Sequence, residues 1–78
     1  MVTVHFFAGA RAAAGRSEER LDAPTLESLI AALSTRNAHL AAVLAASSYL
    51  IDGLAAHDRG TPLADGASID VLPPFAGG

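Results

Sequence analysis

An alternating run stopped by two prolines constrains this chain more than any other feature. From Ala67 to Leu72, Ile69 and Val71 fall on one face and Asp70 and Leu72 on the other, the period-two pattern of a strand. Pro73-Pro74 then ends any hydrogen-bonded ladder, because neither ring nitrogen can donate. The residues from Pro73 to Gly78 must leave the sheet, and at ~3.3–3.6 Å per residue they reach roughly 20 Å. The chain therefore reads as one domain over 1–72 followed by an extended tail over 73–78.

The first residues alternate in the same way. Val2, Val4 and Phe6 share one face, and Thr3, His5 and Phe7 the other. Gly9 and Gly15 bracket a short Ala/Arg stretch, and Arg16 to Leu21 return as a second strand, so an N-terminal hairpin is expected. Pro24-Thr25 marks a change of period. Thr25 is a candidate N-cap, with Ser28 where a full capping box carries Glu. Leu26, Leu29, Ile30 and Leu33 then recur at helical spacing. A second helical stretch has Leu40, Val43 and Leu44 on its apolar side, with Asn37 breaking or capping between the two. One bent helix and two separate helices both satisfy this pattern. Tyr49-Leu50-Ile51 reads as a strand, Asp52-Gly53 as a hairpin turn, and Leu54 to His57 as the returning strand. Asp58 to Gly66 is mostly turn.

Length bounds the rest. A 78-residue chain makes one thin-cored domain. Of its apolar residues 18 are alanines, which bury little area, so the larger side chains suffice for one layer of helix on one sheet. Five Arg, no Lys and eight acidic residues give a net charge of −3 with no basic stripe, which argues against nucleic acid and for a basic protein partner. The absence of Cys excludes disulfides, thiolate metal sites and thioester chemistry, and the absence of Lys excludes Schiff bases on a side chain. The start MVTVHFF has no basic leader, and no apolar run approaches the ~18 residues of a membrane span, so a soluble cytoplasmic protein is expected.

The order strand, strand, helix, strand, short strand, strand fits an α+β domain of the β-grasp, or ubiquitin-like, plan. It has a mixed sheet of about five strands, one or two helices on one face, and the first and last strands as a central parallel pair. The ending Val71-Leu72-Pro73-Pro74-Phe75-Ala76-Gly77-Gly78 resembles that of the MoaD/ThiS family of ubiquitin-like sulfur carriers, most closely the small subunits of molybdopterin synthase. Phe6-Phe7-Ala8 with Arg11 and Gly15, Pro24-Thr25-Leu26, Asp52-Gly53 and Pro62-Leu63-Ala64-Asp65-Gly66 support the resemblance along the rest of the chain. Two positions depart from it: Asp52, where Asn is common, and Ala67, where an acidic residue often follows the glycine.

The resemblance implies a carrier rather than an enzyme on its own. An adenylyltransferase like the ubiquitin-activating enzymes would consume ATP to adenylate the Gly78 carboxylate, and a sulfur donor protein would replace AMP to leave a thiocarboxylate. The large subunit of molybdopterin synthase would then receive the tail and use the sulfur on a pyranopterin precursor in molybdenum cofactor biosynthesis. No cofactor is expected on the chain itself. With neither Cys nor Lys present, the terminal carboxylate is the obvious place to carry sulfur covalently.

Phe7, Leu72, Pro73, Pro74, Phe75, Ala76 and Gly77 are the expected partner-binding residues. Phe7 lies on the strand face opposite Val2, Val4 and Phe6, and Leu72 occupies the same face of the last strand, so both should point away from the helix-covered core. A fold in which Phe7 tucks under a loop is the alternative. The remaining candidates are weaker. Gly9 to Gly15 lacks the Gly-Lys-Ser/Thr of a P-loop, and His5, His39 and His57 have no metal-ligand spacing. His57-Asp58 reads as a polar turn, Ser47-Ser48 lacks the glycines of a nucleophile elbow, and Glu18, Glu19 and Asp22 read as a solvated strand edge. A carrier for thiamine or cysteine synthesis, a plain ubiquitin-like interaction module and a protein modifier remain alternatives.

Overall fold

The alternation at both ends of the chain builds the centre of the sheet. The computed structural model describes residues 1–74. Its elements are β1 (Val2–Phe6), α1 (Ala8–Ala14), β2 (Glu18–Leu21), α2 (Leu26–Ser34), α3 (Ala38–Ala46), β3 (Ser48–Ile51), β4 (Leu54–Ala55) and β5 (Ser68–Leu72). They form a mixed five-stranded sheet in the order β2-β1-β5-β3-β4, the β-grasp plan. β1 and β5 run parallel, with Val4 level with Ile69 and Phe6 level with Val71. Every other pair is antiparallel.

The inward residues of those strands are buried. Val2, Val4, Phe6, Ile69, Val71 and Tyr49 meet Leu26, Leu29, Ile30 and Leu33 of α2 and Leu40 and Leu44 of α3 in one core. Two helices occupy the stretch for which the sequence allowed one or two, and each is capped by its own residue. Thr25 accepts the Ser28 backbone N–H at 3.1 Å while the Ser28 hydroxyl accepts the Thr25 N–H at 3.1 Å, so serine completes the capping box. Asn37 accepts the Leu40 N–H at 2.7 Å and starts α3. The Tyr49 hydroxyl donates to the Leu44 carbonyl at 2.6 Å, tying β3 to the last turn of α3. Burial pushes that phenol up to about 12, against the smaller opposing effect of the Arg59 guanidinium 5.5 Å over its ring.

The structure corrects the N-terminal hairpin. Residues between β1 and β2 are not a plain turn: Ala8–Ala14 form a third helix, closed by Gly15 at φ 77° with its N–H on the Arg11 carbonyl. The chain enters this helix through Ala8 at φ 49°, a left-handed conformation that costs an alanine about 1–2 kcal/mol. Strand limits tighten too, since β2 begins at Glu18 rather than Arg16 and β4 is only two residues long. The Asp52-Gly53 turn holds, with positive φ at both residues and Ile51 paired to Leu54.

The acidic cluster is also corrected in part. Glu18 is exposed, but Glu19 pairs with Val4 and therefore points to the core side of β2. There its carboxylate takes a two-pronged pair from Arg36, at the joint between α2 and α3, with Arg16 at 3.8 Å. The Arg36 guanidinium holds the Glu19 carboxyl below its ordinary range. Glu19 fastens the edge strand to the helical layer.

Candidate functional site at the tail exit

One residue beyond the buried part of β1 and β5, both strands change character. Phe6 is 2% exposed and Phe7 is 45% exposed. The Phe7 N–H still donates to the Val71 carbonyl, at 3.4 Å, so the parallel pairing holds the backbone in place while the ring stands outward. Phe7 then serves as the N-cap position of α1 without any side-chain capping bond, which leaves its ring uncommitted. On β5, Leu72 lies on the face opposite Ile69 and Val71 and is half-buried. Pro73 is half-buried and Pro74 exposed, directly after the strand. The other expected site residues, Phe75, Ala76, Gly77 and Gly78, lie outside the described residues.

The open face of the sheet behind this exit carries His5, Glu18, Arg20 and Asp70, with Leu50 level with Asp70. His5 Nδ1 lies 3.5 Å from the Glu18 carboxylate across the β1–β2 pair and is level with Asp70 across the parallel pair. Phe7 and Leu72 thus head an outer strip that continues into an imidazole, two carboxylates and the Arg20 guanidinium. Among the described residues no group of three or more His, Cys, Asp or Glu could hold a metal ion.

On the helical side of the exit, sequence reasoning missed a groove. It holds about 420 Å3 between the start of α1 (Ala8 and Gly9), the outer side of α3 (Ala42, Val43 and Ala46) and the two prolines. The signal for it was available in α3, whose sequence AHLAAVLAA carries no Asp, Glu, Lys or Arg to dress an exposed face.

Three comparisons place this geometry. The small archaeal modifier protein SAMP1 from Haloferax volcanii superposes with a TM-score of 0.83 at 25% identity, over 99% of this chain and 98% of that one. SAMP1 from Methanosarcina acetivorans gives 0.85 at 26% identity, over 99% and 95%. A chain from the complex of subunits 1 and 2 of molybdopterin-converting factor from Helicobacter pylori 26695 gives 0.73 at 27% identity, over 99% and 97%. Among curated proteins none matches significantly. No helix among the described residues is long and apolar enough to cross a membrane. The ThiS family model matches residues 4–78, from the first strand through the terminal glycines, and the chain belongs to the ThiS family of ubiquitin-like sulfur-carrier folds.

Proposed function

We propose that this chain is the sulfur-carrying small subunit of molybdopterin synthase, with the Gly78 carboxylate as its reactive group. The observation that carries the reading is the exit itself. β5 ends on Pro73-Pro74 at the rim of the sheet, and the sequence beyond contributes one aromatic, one alanine and two glycines. Glycines present no side chain to a narrow channel, so a backbone of this composition suits a confined active site in another protein. The H. pylori neighbour, a chain of a two-subunit molybdopterin-converting factor, supports the same assignment.

The chemistry belongs to partners. A carboxylate is a poor electrophile; its attack on ATP forms an acyl adenylate and releases pyrophosphate, in a site supplied by an adenylyltransferase. The outer sulfur of a persulfide on a donor protein then attacks the acyl carbon and the bond to AMP breaks; a second thiol of the donor side cleaves the resulting acyl disulfide, leaving a thiocarboxylate on this chain and a disulfide on the donor side. The large subunit accepts the tail and passes the sulfur to a pyranopterin precursor. Phe7 and Leu72 supply the apolar docking patch beside the tail, and Glu18 and Asp70 meet basic residues at its border.

A second reading has its own support. The two SAMP1 neighbours are modifier proteins and are about as similar in sequence as the H. pylori chain. The thiocarboxylated chain, mixed with the large subunit and the precursor, separates the two. The carrier reading expects formation of the dithiolene with return of the free carboxylate. Persistence of the thiocarboxylate there, with attachment to lysines of other proteins once an activating enzyme is added, would favour the modifier.

A further inference from the structure

Beyond β3, on the side of the exit away from Glu18, an arginine is held in place without a counter-ion. The main chain of Arg59 is tied to the helical layer, where its carbonyl accepts the Glu27 N–H at 2.6 Å. Its guanidinium lies 5.5 Å over the Tyr49 ring, with one nitrogen 3.5 Å from the Ala45 carbonyl at the end of α3. Those contacts leave most of its N–H groups unused. Arg16 and Arg36 both reach Glu19, but among the described residues no carboxylate pairs with Arg59. The adjacent Asp58 spends a carboxylate oxygen on the Gly60 N–H at 2.8 Å.

Arg59 lines a cleft of about 370 Å3 together with His57 and Ser48. The hydroxyl of Ser47 is committed to the Val43 carbonyl at 2.7 Å, whereas that of Ser48 makes no hydrogen bond among the described residues. Leu50, Ala55 and Ala56 supply the apolar part of the lining. Ser48 is level with Leu72 across the β3–β5 pair, which puts the cleft at the tail-exit end of the sheet. In the order β2-β1-β5-β3-β4 the cleft lies on one side of the exit, and the His5–Glu18 pair on the other.

This chemistry selects a carboxylate. A guanidinium fork matches the two oxygens of one. A single permanent cation balances a monoanion but not a phosphate dianion, and the apolar lining suits the methylene stem of an acidic side chain. We propose that the Ser48–His57–Arg59 cleft takes a glutamate or aspartate carboxylate of the protein that receives the tail, as a second docking point beside Phe7 and Leu72. The partner's identity rests on the carrier reading above; the cleft's affinity for a carboxylate does not. With Glu18 on one side of the exit and Arg59 on the other, a partner of matched charge meets the exit in one orientation.

NMR of the free full-length chain, without ATP or any enzyme, tests the contact. The probe is the blocked peptide acetyl-Ala-Glu-Ala-amide, with its Gln counterpart as neutral control and inorganic phosphate as the competing anion, all at one ionic strength. The Arg59 Nε–H and the Ser48 and His57 amides are expected to shift saturably with the Glu peptide, with Kd on the order of 10 mM for a single charge-assisted contact. The Gln peptide should leave them in place. Arg59→Gln should weaken the binding about tenfold, and Arg59→Lys, which keeps the charge without the fork, should fall between, while unshifted Ile69 and Val71 amides show that each variant keeps its fold. No saturable shift with the Glu peptide, equal shifts with the Gln peptide, or tighter binding of phosphate at the same resonances would overturn the proposal. Arg59→Gln should also bind the large subunit about tenfold more weakly. Wild-type affinity in that variant, with Phe7→Ser weakened, would overturn the docking role. Failure of sulfur loading would leave the peptide result untouched, and failure here would leave sulfur loading untouched.

Discussion

Phe6 and Phe7 are neighbours in sequence and opposites in use. Phe6 is enclosed by the core at 2% exposure, whereas Phe7, at 45%, stands on the outer side of the sheet beside the point where the tail departs. Val71 and Leu72 repeat the contrast on the adjacent strand, one buried and one half-open. Strand geometry alone produces this division, since successive side chains point to opposite faces. The same strand pair therefore anchors the domain with one set of residues and leaves an exposed apolar edge with the other, the edge proposed above for docking. Substitutions on the two sides should behave as two separate classes.

The largest stability effect should come from the buried side. Ile69→Ala removes a fully enclosed side chain between β1 and β3, and is expected to lower stability by about 2–5 kcal/mol. Chemical denaturation reads this directly, and a domain of this size holds only roughly 4–12 kcal/mol in all. A loss below 1 kcal/mol would mean that the central strands pack less tightly than described.

Tyr49→Phe comes next. It removes the hydroxyl bond to the Leu44 carbonyl, but that carbonyl keeps the Ser47 N–H at 3.3 Å, so the cost should stay near ~1 kcal/mol. The variant also has a pH signature. Burial raises the folded phenol to about 12 from an ordinary 10.0, so the unfolded chain ionises first. Stability is then complete below pH 10 and falls as pH rises toward 12. The phenylalanine variant should lose most of that alkaline slope.

Glu19→Gln should cost less, because the Arg36 partner is partly exposed and solvent screens the pair. Its acid behaviour is the sharper readout. Arg36 lowers the Glu19 carboxyl in the folded state, so the pair's contribution is present at neutral pH and is lost as pH falls through that lowered value. The variant should show a shallower acid limb, with the rest of the curve unchanged.

Phe7→Ser should barely move stability, within about 0.5 kcal/mol, because the ring adds little to the core. Binding to the large subunit or the activating enzyme should nevertheless weaken by roughly tenfold or more, the range of a truncated aromatic anchor. Equal affinity of wild type and variant for both partners would remove Phe7 from the docking surface.

How far the sequence revealed this division depends on how much large apolar side chain each segment carries. β1, β5 and α2 were legible because Val, Ile, Leu and Phe recur at clean periods, and Thr25, Asn37 and Asp52-Gly53 mark the start of α2, the start of α3 and the β3–β4 turn with specific backbone chemistry. α1 was not, because Ala10 is its one buried residue and its flanking glycines imitate a turn. Such a short, alanine-built helix forms through packing against α3 and the sheet rather than through its own pattern. Glu19 was misread for a related reason, since its partner Arg36 lies 17 residues away across a helix joint. Phe7, Leu72 and the prolines were visible from alternation and ladder chemistry. The groove was passed over because α3 shows it only by lacking charged residues, while its alanines carry almost no periodic hydrophobic signal.

The central claim is that the docking edge serves a reactive Gly78, and intact-mass measurement tests it most directly. The chain is incubated with ATP, a family adenylyltransferase proven active on a known carrier, and a sulfur source. The account predicts replacement of one oxygen by one sulfur, localised to Gly78 by fragmentation and absent from a chain lacking that residue. An unchanged mass under those conditions would contradict it and leave the fold as an interaction module with an inert tail.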